Sequence, residues 1–145
     1  MAKDIALIIN EDTQYPDSYS EHELSDIEQI DNNSCDNIFI GDLLDYIPPK
    51  DFEDTLNSIV DKTKTDGLIH IQAPDIFQVC WFGARMNLSM DKLRYILYEN
   101  QRGFCHTFDE MISLVNKIKN TKIDMASYTN GYEYSISIKK HEETD

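Results

Sequence analysis

Glycine is sparse in this sequence, and no two glycines lie near each other. The five stand at positions 41, 67, 83, 103 and 131, so the 145 residues contain no Gly-x-Gly turn. A Gly-rich loop, which lets backbone close on a nucleotide because side chains are missing, is absent in its usual form. Cysteine is scarce too: Cys35, Cys80 and Cys105 are an odd number without C-x-x-C spacing. That argues against a disulfide framework and against a structural zinc site. No apolar run approaches the roughly 20 residues that span a bilayer, and the opening MAKDIALIIN lacks the layout of a signal peptide. Bases number 13 against 27 acids, a net charge of −14. Phosphate neutralisation needs a basic face, and the local basic clusters are limited to Lys117/Lys119/Lys122 and Lys139/Lys140. Direct nucleic-acid binding is therefore not expected. The acidity fits solubility, or else an acidic docking surface for a basic partner. These absences lead to the expectation of a soluble, cytoplasmic chain with no membrane association and no metal.

What is present suffices for a core. Apolar residues make up 41% and charged residues 28%, which excludes wholesale disorder and predicts one domain over 1–145. The run Ile5 to Ile9 predicts a strand buried on both faces, as does Asn37 to Ile40. Residues 10–35 are polar and acidic, with at most a short strand or turn near His22 to Ile30. Pro48-Pro49 opens a helix whose Phe52, Leu56, Ile59 and Val60 share one face. Asp66-Gly67 reads as a turn, and Leu68 to Gln72 as the next strand, stopped by Pro74. Residues 76–100 read as helix in two pieces, with Ser89 capping the second, which should bury Leu93, Ile96 and Leu97. Thr107 to Glu110 has capping-box spacing ahead of the stripe Met111, Leu114, Val115 and Ile118. Asn130-Gly131 separates two strand-like runs and signals a hairpin. Strands separated by helices predict an α/β fold: a mostly parallel, Rossmann-like sheet with flanking helices and a C-terminal antiparallel β-hairpin.

Several stretches, taken in order, carry a family likeness. Asp36-Asn37-Ile38 is followed by Asp42-Leu43-Leu44-Asp45-Tyr46, then Ile71-Gln72-Ala73-Pro74-Asp75, then Leu97-Tyr98-Glu99-Asn100-Gln101, then His106 and Phe108. Their order and spacing, over roughly residues 22 to 139, resemble the C-terminal two-thirds of a class I S-adenosylmethionine-dependent methyltransferase of the small bacterial and viral type. There the pattern runs D-x-I, His-Val-Leu-Glu-His, Pro-Asp, Leu-Tyr-Gly-x-Gln, His. This chain departs from it at Asp42 to Tyr46, where both histidines and the Glu are replaced. It departs again at Thr65-Asp66-Gly67, which stands for a Pro-Gly-Gly turn, and at Glu99, which stands for a Gly. After the first strand come Asn10 to Gln14, all bearing Cβ atoms, in place of the cofactor loop. The resemblance thus implies a methyltransferase-like protein that is truncated or degenerate at its N-terminal cofactor motif.

Residue by residue, the resemblance implies S-adenosylmethionine as cofactor, with Glu11, Gly41 and Asp42 beside it. Glu11 or Asp12 would match the family's ribose acid if this first strand is the family's second. Asp75 and His106 would be catalytic, and Tyr98 and Gln101 would meet an acceptor of unknown identity. The residues themselves leave other readings open. Asp75 precedes a helix and can cap it, His106 can be a loop histidine, and Tyr98 can be an amphipathic core residue. Cys80-Trp81-Phe82 reads as core, with an oligomer contact as the other reading. His70 reads as a hydrogen-bonded core histidine, His22 and His141 have no metal partners, and Cys105 beside His106 lacks any sign of nucleophile geometry. Two function classes follow. One is a methyltransferase with reduced or no activity; the other is a non-catalytic binding or assembly module on the same fold, working as a homo-oligomer or with a protein partner.

Overall fold

The computed structural model describes residues 2–9, 14–99 and 103–142. Six strands form one sheet: β1 (Asp4–Ile8), β2 (Ser20–Glu23), β3 (Cys35–Gly41), β4 (Thr63–Pro74), β5 (Thr121–Tyr128) and β6 (Glu133–Lys140), in the order β2-β1-β3-β4-β6-β5. β2, β1, β3 and β4 are mutually parallel, while β6 runs antiparallel to both β4 and β5. The fold is the α/β arrangement that the alternation of elements predicts, closing hairpin included. Four helices accompany the sheet: α1 (Phe52–Lys62), α2 (Ile76–Ala84), α3 (Met90–Arg94) and α4 (Phe108–Val115). Among the described residues, no helix is long and apolar enough to cross a membrane.

Side-chain alternation divides the sheet into two unlike faces. On one, Ile5, Ile38, Ile69, Ile138 and Ile123 lie in register across five strands. β-Branched side chains pack well on a pleated surface, and the first four of this row are almost wholly buried. Helices α1 and α4 cover it with Phe52, Leu56, Ile59, Met111 and Val115. On the other face the neighbouring row is Ala6, Phe39, His70, Ser137 and Met125. Ala6 is buried there, Phe39 and His70 are half-buried, and Met125 is exposed. Thus β1 is buried on both faces over Ile5 to Ile8, whereas Ile9, expected in the same buried strand, lies past its end and is 47% exposed; β3 is fully buried on one face. His70 is hydrogen-bonded as expected, through Nδ1 to Ser137 and Nε2 to Asn37 at 3.0 Å each, but it is half-buried on this second face and not in the core.

Local signals hold in several places. Ser89 accepts from the Lys92 amide and Thr107 from the Glu110 amide, as their spacing implies. Gly131, at φ +93, supplies the left-handed residue of the hairpin turn. Three readings change. The turn expected at Thr65 to Gly67 is absorbed into a longer β4: pairing jumps from Cys35–Thr63 to Asn37–Leu68 across a bulge, with Asp66 at φ +68. A Cβ on Gly67 would lie 2.9 Å from the Lys64 carbonyl oxygen and 3.0 Å from that of Asp36, so the bulge needs glycine for close approach. The second helical piece buries Ile96 alone among Leu93, Ile96 and Leu97, because it changes after Arg94 into a wider π-helical turn over Tyr95–Glu99. Finally, Cys80 and Trp81 are exposed and not core; only Phe82 of that trio turns inward, against Tyr132 and Gly131.

At the end of the sheet opposite the strand tips that carry the site, Lys140 locks β6 to α1. Its Nζ donates to the Val60 and Thr63 carbonyls and to Asn33 Oδ1, each at 2.8 Å. Lys140→Met should remove three charge-assisted hydrogen bonds, leaving the Val60 carbonyl with the Thr63 amide as its donor, at a cost of about 1–3 kcal/mol. Urea unfolding followed by circular dichroism reads this as a lower midpoint with an unchanged slope; an unchanged midpoint would refute the lock.

Candidate functional site

The chain leaves β1 for β2 on one side and then crosses back to β3 on the other, so the topological switch point lies between β1 and β3. Open α/β sheets bind ligands outside the carboxyl ends of strands at such a point. β1 therefore holds the place of the first strand at the switch. A cleft of about 260 Å³ opens beside this point, over the carboxyl ends of β3 and β4. Its floor is the end of β3 with Phe39, Gly41 and Asp42, and the end of β4 with Gln72, Ala73 and Pro74. One wall is α3 and the π-turn, through Lys92, Tyr95 and Ile96; the other is the hairpin, through Tyr132 and Glu133, with Gln14 at the rim. Gly41 has φ +54, a backbone state that L side chains rarely adopt, and it presents bare backbone to the cleft. Asp42 follows at the start of the 3₁₀ turn Leu43–Tyr46, half-buried, with its carbonyl accepting from the Asp45 amide at 2.9 Å. Gln72 and Glu133 lie side by side across β4 and β6, Nε2 to Oε2 at 3.5 Å.

Of the residues singled out from sequence, Gly41 and Asp42 line this cleft together. Glu11 and Gln101 lie outside the described residues. Tyr98 is 75% exposed, and its place on the wall is taken by Tyr95. Asp75 sits at the tip of β4 but points elsewhere. Its Oδ1 accepts from the Phe77 and Gln78 amides at 2.9 and 3.2 Å, and its Oδ2 from the Phe108 amide at 3.0 Å and the Tyr128 hydroxyl at 2.9 Å. With four donors on a carboxylate that is 3% exposed, it caps α2 and pins the start of α4. Burial, and then the hydrogen bond to Asp75, pushes the Tyr128 hydroxyl above its ordinary pKa, which keeps it a donor.

His106 is paired with Asp75 through a parallel bridge, and its carbonyl accepts from the Ile76 amide at 3.1 Å. Its ring stands edge-on to Phe52, 4.8 Å between centroids, with Nδ1 3.9 Å from Glu110 Oε2. It borders a second, more open cavity of about 500 Å³ between Pro49, Phe52, Glu110 and Lys117, separate from the first cleft. Burial holds its pKa below the usual histidine value, against the opposing pull of Glu110 and the Leu44 carbonyl. Lys92, Tyr95, Tyr132, Glu133 and Gln14 complete the cleft without having been marked by sequence. They converge from three separate segments, and no local spacing connects them. No group of three or more metal-ligating side chains occurs among the described residues.

With this geometry in view, comparison with known proteins addresses the fold. No protein-family model matches the sequence, and no curated protein matches it at a significant level. Solved structures do. A Listeria monocytogenes protein provisionally named an S-adenosylmethionine-dependent methyltransferase matches at 18% identity and TM-score 0.61, over 97% of this chain and 82% of that one. A Sulfolobus solfataricus protein provisionally named a type 11 methyltransferase matches at 14% identity and TM-score 0.51, over 87% of this chain. The magnesium protoporphyrin IX methyltransferase of Synechocystis, solved with bound SAH, matches at 10% identity and TM-score 0.55, also over 87%. The chain spans 62% of the Sulfolobus protein and 53% of the Synechocystis one. At these identities the likeness concerns the fold alone, an α/β sheet arrangement shared with these methyltransferases.

Both His106 and His70 are held below the ordinary histidine pKa of 6.5 by burial. The unfolded chain therefore binds more protons than the folded one from pH 6.5 down to the lowered folded values. Stability rises with pH through that window and is lost as pH falls through it. His106→Gln should flatten this loss by up to about 1.4 kcal/mol per pH unit. Urea midpoints measured at a series of pH values below 6.5 check it, and a slope equal to wild type would refute the burial argument.

Proposed function

We propose that this chain is an S-adenosylmethionine-dependent methyltransferase-like protein that takes the cofactor weakly in the cleft at the ends of β3 and β4 and has reduced or no transferase activity. The observation that carries the reading is the pairing of Gly41, with its φ of +54, and Asp42 on the floor of that cleft. The residues present fit an adenosine-bearing cation. Gly41 lets the ligand approach bare backbone, Asp42 offers a carboxylate to ribose hydroxyls, and Tyr95 offers an aromatic face on the wall. Asp42 and Glu133 outnumber Lys92 along the lining, which favours a positive ligand. When bound, the cofactor supplies an electrophilic methyl on a sulfonium centre.

The protein's part in such a transfer is mostly positioning. Asp42 and Glu133 are carboxylates of the lining that can accept an acceptor's proton. Asp75 and His106, expected beside the acceptor from the resemblance, are read here as framework: the one caps two helices and the other packs on Phe52. Reduced activity follows from size and access. About 260 Å³ lies below the roughly 300–1,000 Å³ of ordinary ligand sites, and the sheet face beside the cleft leaves Gln72 exposed and Phe39 half-exposed. A site that does not exclude water forfeits much of its electrostatic leverage. The second reading, a non-catalytic binding or assembly module, is favoured by the exposed apolar side of α2.

Thermal unfolding with added S-adenosylmethionine or S-adenosylhomocysteine tests the first reading. Ligand at a hundredfold over its dissociation constant stabilises by about 2.7 kcal/mol, on the order of 5–10 °C for a chain of this size. Asp42→Ala should abolish the shift, and His106→Gln should keep it. Absence of any shift at millimolar cofactor would overturn cofactor binding by this chain, and a shift indifferent to Asp42→Ala would overturn the placement of the site.

A further inference from the structure

Helix α2 reads IFQVCWFGA, nine residues without a charge, yet Val79 is its one buried residue. Phe77, Cys80, Trp81 and Ala84 are all exposed, and their spacing of i, i+3, i+4 and i+7 places them on a single stripe. Phe77 is 72% and Trp81 55% exposed, and Met86 just past the helix end is 89% exposed. An apolar helix face normally lies against something. Phe, Trp, Met and Arg are also the residues enriched in protein–protein contact cores.

The charges at the two ends of the stripe differ in sign. Beyond the C-terminus lies Arg85, whose guanidinium sits over the Trp81 ring at 4.2 Å; farther on, Lys92 lines the cleft and Arg94 is paired with Asp91 at 3.2 Å. At the N-terminal end, Asp75 binds the first amides of α2 and of α4 together, so α4's first-turn acids Asp109 and Glu110 adjoin it. An apolar stripe with the acids of α4 at one end and Arg85 at the other is self-complementary under a two-fold axis.

We propose that α2 is a homodimer interface, in which two copies pack their Phe77–Ala84 stripes antiparallel, so that Arg85 of each copy meets the partner's Asp109. Charge selects this occupant and this face. Two chains of −14 each repel, and the uncharged stripe is where they meet with no like charges opposed and with opposite charges at both ends. Ridges of i±4 spacing such as Phe77–Trp81 interdigitate well between helices. Phe77 and Trp81 each offer on the order of 100–180 Å². With Met86 and both copies counted, the buried area approaches the order of 1,000 Å² that a specific interface needs. Cys80, at the middle of the stripe, lies close to the two-fold axis.

Light scattering on the full chain over a dilution series should give twice 16.9 kDa at the concentrated end. Trp81→Glu and, separately, Phe77→Glu should return it to one copy with an unchanged circular dichroism spectrum, while Met125→Glu on β5 leaves the pair intact. A short bismaleimide should link two wild-type copies. Cys105→Ser should keep the link and Cys80→Ser should lose it, a readout that does not depend on how the α2 variants fold. One copy at every concentration with no Cys80 link would overturn the proposal. So would a pair dissociated by Met125→Glu but not by the α2 changes, which would place the contact on the sheet edge. Binding of anionic phospholipid vesicles by a chain that stays single in solution would overturn it in favour of a membrane as the occupant of the stripe.

Discussion

One buried carboxylate organises the ligand end of this molecule. Asp75 terminates the central strand β4, and its two oxygens receive the first amides of α2, the first amide of α4 and the hydroxyl of Tyr128 from β5. Each of these donors would otherwise be an orphan at a helix start or a polar group near the core, and leaving such groups unmade is what costs most. The side chain therefore decides where α2 begins, where α4 begins and how the hairpin leans on both. Its own amide donates to the Tyr132 carbonyl at 2.7 Å, tying in the hairpin turn as well. Tyr132 and Glu133 then become one wall of the cleft, and the segment following α2 becomes the other. A residue that resembles a family's site acid thus shapes the cleft from behind without lining it.

The two faces of the sheet account for the shape of that cleft. On the covered face the isoleucine row and the helices α1 and α4 form a dry interior, with Tyr134 stacked on Phe108 at 5.2 Å. On the other face His70 bridges Asn37 and Ser137, a polar chain that suits a surface open to water and would be costly under an apolar layer. Tyr19 reaches over from the β1–β2 connection to meet Phe39 edge-on at 6.4 Å, so cover on this face begins near β1 and thins toward β4. The cleft lies at the end of that thinly covered side, which keeps it shallow.

Much of the framework was legible because it rests on local physics. A continuous apolar run such as Ile5 to Ile9 has few alternatives to a buried strand, although its last residue lies past the strand end. Ser89, Thr107 and Asn130-Gly131 act within four residues of themselves, so spacing alone reveals them. The readings that changed involve non-local partners. Gly67 looked like a turn because glycine usually is one, whereas here it admits the Asp36 carbonyl from the next strand. Trp81 looked like core because tryptophan usually is, and no periodicity tells an apolar helix face that packs inward from one that does not. Tyr95 takes the cleft position that helical spacing would have shared with Tyr98, because a π-turn breaks the 3.6-residue register between them. In the cleft, Gly41 and Asp42 could be picked out because they end a strand. Lys92, Tyr132 and Glu133 could not, because only the closed fold brings them together.

The interactions that hold this sheet together are almost disjoint from those that would hold a ligand. The isoleucine row and the Lys140 lock at the far end involve no lining residue of the cleft, and the Asp75 hub meets the lining through the bond from its amide to the Tyr132 carbonyl, while Asp42, Tyr95 and Glu133 contribute little to any of them. Such a division lets the architecture persist under selection for stability alone, even where the loop following the first strand has Cβ atoms at every position. A fold shared with methyltransferases is then weak evidence of methyl transfer. The informative residue of the lining is Gly41: its positive φ falls where the β3–β4 register shifts, and the bend that this allows brings backbone without a side chain to the cleft.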